Sequence, residues 1–123
     1  MTDPALWTLT EAADAVAKGE ITSRGLTEAC LERIYAWQPV VNCFIHVEAD
    51  LALQMVDAAD VARTRGEALG PLHGVPLAHK DMFYRKGVLS TCGSKIRRDF
   101  RPEFTATVME RMDAAGAVYL GGL

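Results

Sequence analysis

The sequence predicts an α/β chain in which N-terminal helices precede a βαβ unit. Three observations predict it. Up to Gly66, apolar residues recur at helical spacing between capping residues. From Gly70 the composition turns to glycine and proline, and a short apolar run, Val75 to His79, stands among them. A capped helical pattern then leads through Gly116 into "AVYLGG", a stretch of strand-forming residues.

Each element has a local reason. Thr8 stands three residues before Glu11, the spacing of a capping box, and Gly19 suits the end of the helix that follows. Thr22 or Ser23 can cap a second helix, with Leu26, Cys30, Ile34 and Trp37 on one face and Pro39 marking its end. Val41 to Val47 reads as a short extended segment. A third helix carries Leu51, Met55 and Ala58 or Ala59 on its apolar face and closes at Gly66; it should lie antiparallel to the second, both packed on a later sheet. The next strand is Val75 to His79, with Val75, Leu77 and His79 on one side and Pro76, Ala78 and Lys80 on the other. Thr105 is the expected cap of a fourth helix whose stripe is Val108, Met112 and Ala115, and Ala117–Leu120 the expected last strand. A strand, helix, strand order of this kind makes the two strands parallel with a right-handed crossover. The organisation is therefore a helical segment, 1–69, and a βαβ segment, 70–123.

Composition narrows the function classes. The chain has 123 residues, 50% hydrophobic and 24% charged, as an ordinary globular domain does. A net charge of −3 offers no general attraction to nucleic acid or an anionic membrane. No apolar run reaches the ~18 residues of a membrane span, and "MTDPALWTLTEAADAVAKGE" lacks the pattern of a signal peptide. Cys30, Cys43 and Cys92 are odd in number and show no CxxC spacing, which suits buried inert thiols in a reducing cytoplasm. The expected partner is a small molecule, with neither nucleic acid nor membrane; self-association into a homo-oligomer is left open.

Lys80 is the first candidate site residue, because it ends a strand where open α/β sheets bind ligands. It is either a solvated lysine paired with a neighbour or a desolvated neutral base. His73 and His79 lack the nearby acidic ligands a metal pair would need, so no metal or cofactor is expected. "STCGS", Ser90 to Ser94, holds hydroxyls and a thiol, yet has no GxSxG elbow and reads as a tight turn. "SKIRRDFR" gathers Lys95, Arg97, Arg98 and Arg101 with Asp99, and reads as a solvated loop with local ion pairs.

Taken in order, "GPLHGVPLAHKD", "KGVLSTCGS" and "TATVMERMDAAGAVYLGG" resemble the N-terminal part of the amidase signature family, Ser–Ser–Lys amide hydrolases. The helical portion, with "ITSRGLTEACLERI" and "VNCFIHVEA", is consistent with that resemblance. It implies that Lys80 is the lysine of the triad, the base that takes a proton through a cis serine from the nucleophilic serine. The acyl-enzyme so formed is then hydrolysed by water. It also implies that the two strands begin a large mixed sheet. The family's serine segment lies many tens of residues downstream, beyond Leu123, and "STCGS" matches a different position. The expectation is therefore an amidase-type hydrolase of C–N amide bonds present as an N-terminal fragment and inactive alone. His79 and Met82 depart from the residues many members carry, which implies variation around the substrate site. Two alternatives stand beside it: the glutamine-hydrolysing subunit of a tRNA-dependent amidotransferase, and a small non-catalytic binding or accessory protein. The "LAHKDM" wording favours the free-standing amidase over the amidotransferase reading.

Overall fold

The computed structural model describes residues 2–123. Among them, four α-helices, α1 (Leu9–Lys18), α2 (Ser23–Val41), α3 (Ala49–Thr64) and α4 (Thr107–Ala114), accompany three strands, β1 (His46–Val47), β2 (Pro76–His79) and β3 (Val118–Gly122). The strands form one mixed sheet in the order β1-β3-β2. β2 pairs parallel with β3, as the βαβ reading requires, while β1 pairs antiparallel with the other side of β3. β3 is thus the central strand, and all five of its residues are buried.

The helix starts follow from capping chemistry. Thr8 accepts from the Glu11 amide while the Glu11 carboxylate accepts from the Thr8 amide, a complete capping box, and Gly19 ends α1 in the left-handed conformation. Thr22 caps α2 by accepting from the Gly25 amide. Asp60, late in α3, supplies a second cap: its carboxylate accepts from the amides of Ser23 and Arg24. That contact joins the start of α2 to the end of α3, so the two helices run antiparallel. Between them and the sheet lie Leu31, Ala52, Val56, Val118 and Leu120. A second cluster, Ala12, Val16, Leu26 and Val75, seats α1 and α2 against the start of β2.

Several elements differ from the sequence reading. Pro39 does not end α2; the helix runs to Val41 and is closed by Asn42 in the left-handed conformation, its amide bonded to the Gln38 carbonyl. Proline in the last turn removes one amide bond without stopping the two residues after it. Consequently β1 is only His46–Val47, because Val41 still belongs to the helix, residues 42–44 form no regular element and Ile45 is a bend. Thr105 does not cap α4: Ala106 is the N-cap without a side-chain bond, and the Thr105 hydroxyl accepts from the Lys86 amide. On α4 the buried face centres on Met109 and includes the partly buried Met112, leaving Val108 exposed. On α3 it centres on Ala52 and Val56, one position round from Leu51 and Met55. β3 runs two residues beyond Leu120.

Those two residues, Gly121 and Gly122, lie where the strands crowd. A Cβ at Gly121 would overlap the His46 carbonyl, and one at Gly122 would come within 2.5 Å of His46 Nε2 and 3.1 Å of Asp81 Cβ. Only glycine lets the central strand pass between its neighbours here.

Candidate active site

The carboxyl end of β2 is held on three sides. The His79 carbonyl accepts from the Leu123 amide, and the Asp81 amide donates to the Leu123 carbonyl. Asp81 then turns inward and is 3% exposed. Its Oδ2 accepts from the Thr91 amide at 2.9 Å and from the Thr91 hydroxyl, and its carbonyl accepts from the Cys92 amide at 2.9 Å. A buried carboxylate needs such donors, since its desolvation is otherwise uncompensated. Cys92 and Gly93 both take positive φ, which folds the loop back onto Asp81. Thus "STCGS" is a tight turn, and its anchor is Asp81.

Lys80 stands between this anchor and the strand, with an exposed side chain. The turn Lys80–Phe83 is closed by its carbonyl, which accepts from the amides of Met82 and Phe83. Of the readings offered by the sequence, the chain by itself presents Lys80 to solvent at the carboxyl end of a parallel strand.

His79 lies on the opposite face of the strand from Lys80. Its ring stacks on Tyr119 at 4.7 Å, and the Arg85 guanidinium covers the Tyr119 ring at 4.7 Å while pairing with Asp113 at 2.7 Å. Burial pushes the His79 imidazole below its ordinary value of 6.5; the Lys80 carbonyl opposes this, and the charges of Arg85 and His46 add to it. Tyr119 is pushed upward, first by burial. Above the ordinary value the ring is neutral in both states. As pH falls, the unfolded chain takes up a proton that the folded ring resists, so this contribution to stability is lost through the folded value. The thermal midpoint should therefore fall less between about pH 7.5 and about pH 5.5 in His79→Phe, which keeps an aromatic ring on Tyr119, than in the parent chain. Equal slopes would remove His79 from the acid response.

His73 and His79 do not meet as a metal pair. His73 Nε2 lies 2.8 Å from the Ala59 carbonyl, and His79 Nδ1 lies 3.2 Å from the Lys80 carbonyl. Among the described residues, no group of three or more His, Cys, Asp and Glu is placed to hold a metal ion. The thiols are less buried than the sequence reading held: Cys43 and Cys92 are exposed and Cys30 is half-buried. The basic loop is only partly solvated. Arg97 donates to the Tyr84 hydroxyl and lies over Phe100 at 4.2 Å, Arg101 donates to the Gly87 carbonyl, and Arg98 and Asp99 form an exposed ion pair. A groove of about 520 Å³ lies elsewhere, on α2, lined by Cys30, Ile34, Trp37, Val41 and Phe44; it shares no residue with the strand end. No helix is long and apolar enough to cross a membrane among the described residues.

Sequence reasoning missed His46, Glu48 and Thr91 as parts of the strand end. Their spacing carries no motif: His46 reaches Asp81 through the antiparallel pairing of β1 with β3, Thr91 through the fold of the 90–94 turn, and Glu48 lies against the other side of His46. The one available signal was Asp81 itself, an acidic residue just past a buried strand with hydroxyl residues nearby in sequence.

Comparison with known proteins agrees with this architecture. The family model described as Amidase matches residues 25–123. A glutamyl-tRNA(Gln) amidotransferase subunit from Chloroflexus aurantiacus is 50% identical over 116 residues, 94% of this chain and 24% of the relative. The same subunit from Halorhodospira halophila is 48% identical over 93% of this chain and 23% of its own length. The chain therefore spans about a quarter of the length of these relatives. Among solved structures, the native peptide amidase from Stenotrophomonas maltophilia superposes with a TM-score of 0.87 at 34% identity, covering 96% of this chain and 24% of that one. A structure described as a vestigial protein complex that reveals the origins of an s-triazine catabolic enzyme gives 0.89 at 38% identity, covering 95% and 26%. With most of its length matched by the family model and its α/β architecture shared with these enzymes, the chain belongs to the amidase family.

Proposed function

We propose that this chain supplies the lysine of an amide hydrolase that works by acyl transfer to serine, with Lys80 as the base. The observation that carries the reading is the position of Lys80: it ends the parallel strand β2, inside the stretch the family model matches, with Asp81 anchoring the turn beside it. A strand end is a rigid mount, and a base must be held within hydrogen-bond reach of the proton it takes. The serines would come from outside residues 1–123, so the chain alone should not turn over amides.

The test is a hybrid in which residues 1–123 replace the matching quarter of the peptide amidase. The hybrid should hydrolyse amides, and Lys80→Ala should abolish that activity. Unchanged hydrolysis by the Lys80→Ala hybrid would defeat the assignment. Turnover of simple amides by purified 1–123 that Lys80→Ala abolishes would keep Lys80 but overturn the placing of the serines outside these residues.

A second reading places the chain in an amidotransferase with several subunits. It is favoured by the curated relatives at 43–50% identity, which carry that name. The same lysine would serve in both. The readings separate on partners: the whole protein would co-purify with other subunits in one and stand alone in the other.

A further inference from the structure

His46 lies between two carboxylates. Its Nδ1 is 3.2 Å from Glu48 Oε1, and its Nε2 is 3.5 Å from Asp81 Oδ1. The His46 side chain is 12% exposed, and its edge faces the Tyr119 ring at 6.4 Å. Neither contact is a hydrogen bond: both are close approaches of a ring nitrogen to a carboxylate oxygen. Carboxylates only accept, so a ring with one N–H can serve one of them and a ring with two can serve both. The two carboxylates sit at opposite ring nitrogens and cannot converge on one ion, which removes a metal-ligand reading.

The contact to Asp81 matters because of what Asp81 already holds. Its Oδ2 is occupied by Thr91, its amide by Leu123 and its carbonyl by Cys92. Oδ1 is left for His46. The 90–94 turn therefore holds one oxygen of this carboxylate by hydrogen bonds while His46, from β1, approaches the other, next in the chain to Lys80. Gly122 keeps the space between His46 and Asp81 open.

We propose that His46 is a positioning residue: through Asp81 it fixes the end of β2, and so the direction in which Lys80 leaves the strand. This rests on the reading of Lys80 as the base. His46 touches no reacting group; it removes a freedom of the turn that carries one.

The two ring nitrogens can be separated by substitution, since a glutamine amide nitrogen reaches about as far as Nε2 and an asparagine nitrogen about as far as Nδ1. His46→Gln retains a donor towards Asp81, and His46→Asn retains one towards Glu48. In residues 1–123, His46→Asn should speed amide hydrogen exchange at Thr91 and Cys92 by about tenfold or more, and His46→Gln should restore it to within about threefold of the parent. In the peptide-amidase hybrid, His46→Asn should lower kcat by about 10–100-fold with KM little changed, and His46→Gln should recover most of it. A merely structural role would move neither the split between kcat and KM nor the order of the two variants. Exchange and kcat unchanged in both variants, or equally damaged in both, would overturn the proposal. Ordered exchange effects without any effect on kcat would keep the clamp but overturn its link to Lys80. A hybrid insensitive to Lys80→Ala would count against the lysine reading instead, leaving the exchange result to judge the clamp.

Discussion

In the peptide-amidase hybrid, Lys80→Arg is expected to lower kcat by about 10²–10⁴, as far as Lys80→Met does. Arginine keeps the positive charge and nearly the reach of lysine, but its guanidinium does not give up a proton in proteins. A lysine does so near neutrality only when it is desolvated. Lys80 is exposed in residues 1–123, so under the proposed role the surroundings that strip its water would be supplied by the peptide-amidase part of the hybrid. The comparison between the two variants is the informative part. If Lys80→Arg keeps more than about a tenth of the activity that Lys80→Met loses, the site uses a charge and not a proton transfer. Steady-state kinetics on the three hybrids decides between them.

The second large effect belongs to Asp81→Ala in the chain itself. It removes the acceptor for the Thr91 amide and hydroxyl and the partner of His46, all in a region where Asp81 is 3% exposed. The buried Thr91 amide and hydroxyl are then left without an acceptor, at a cost of about 1–3 kcal/mol each. For a chain of this size that is a fall of roughly 10–20 °C in the thermal midpoint. Asp81→Asn, which keeps one accepting oxygen, should lose less. An alanine variant melting within about 2 °C of the parent would show that the 90–94 turn does not depend on this carboxylate.

How much of this was legible in the sequence depends on how local the cause is. The Thr8–Glu11 capping box, the Gly19 stop and the Thr22 cap are chemistry within four residues, and each was readable. So was the parallel pairing of β2 with β3, since a short apolar run, a helix and a second run leave few other arrangements. Lys80 at the strand end followed from the same pattern. What was not legible depends on partners distant in sequence. Asp60 capping α2 joins residues 36 and 37 apart, and His46 meets Asp81 only because β1 lies beside β3. Thr105 looked like a cap by type, yet its hydroxyl is taken by Lys86. The expected stripes on α3 and α4 hold partly buried residues, Met55 and Met112 among them, but the most buried positions, Ala52, Val56 and Met109, stand one residue round because several adjacent residues are apolar and only the neighbouring sheet decides which face inward.

Gly121 and Gly122 give the central strand no side chain at the end where the three strands converge. Any chemistry at that end must therefore be contributed from the two sides: Lys80 and Asp81 from beyond β2, His46 from β1. The middle strand acts as a spacer of fixed width, and that width is one backbone thick. A single added methyl at Gly122 would act as a wedge between the side chains of His46 and Asp81. The spacing between the groups on either side is thus set by the absence of atoms in the centre, a feature no inventory of reactive side chains would contain.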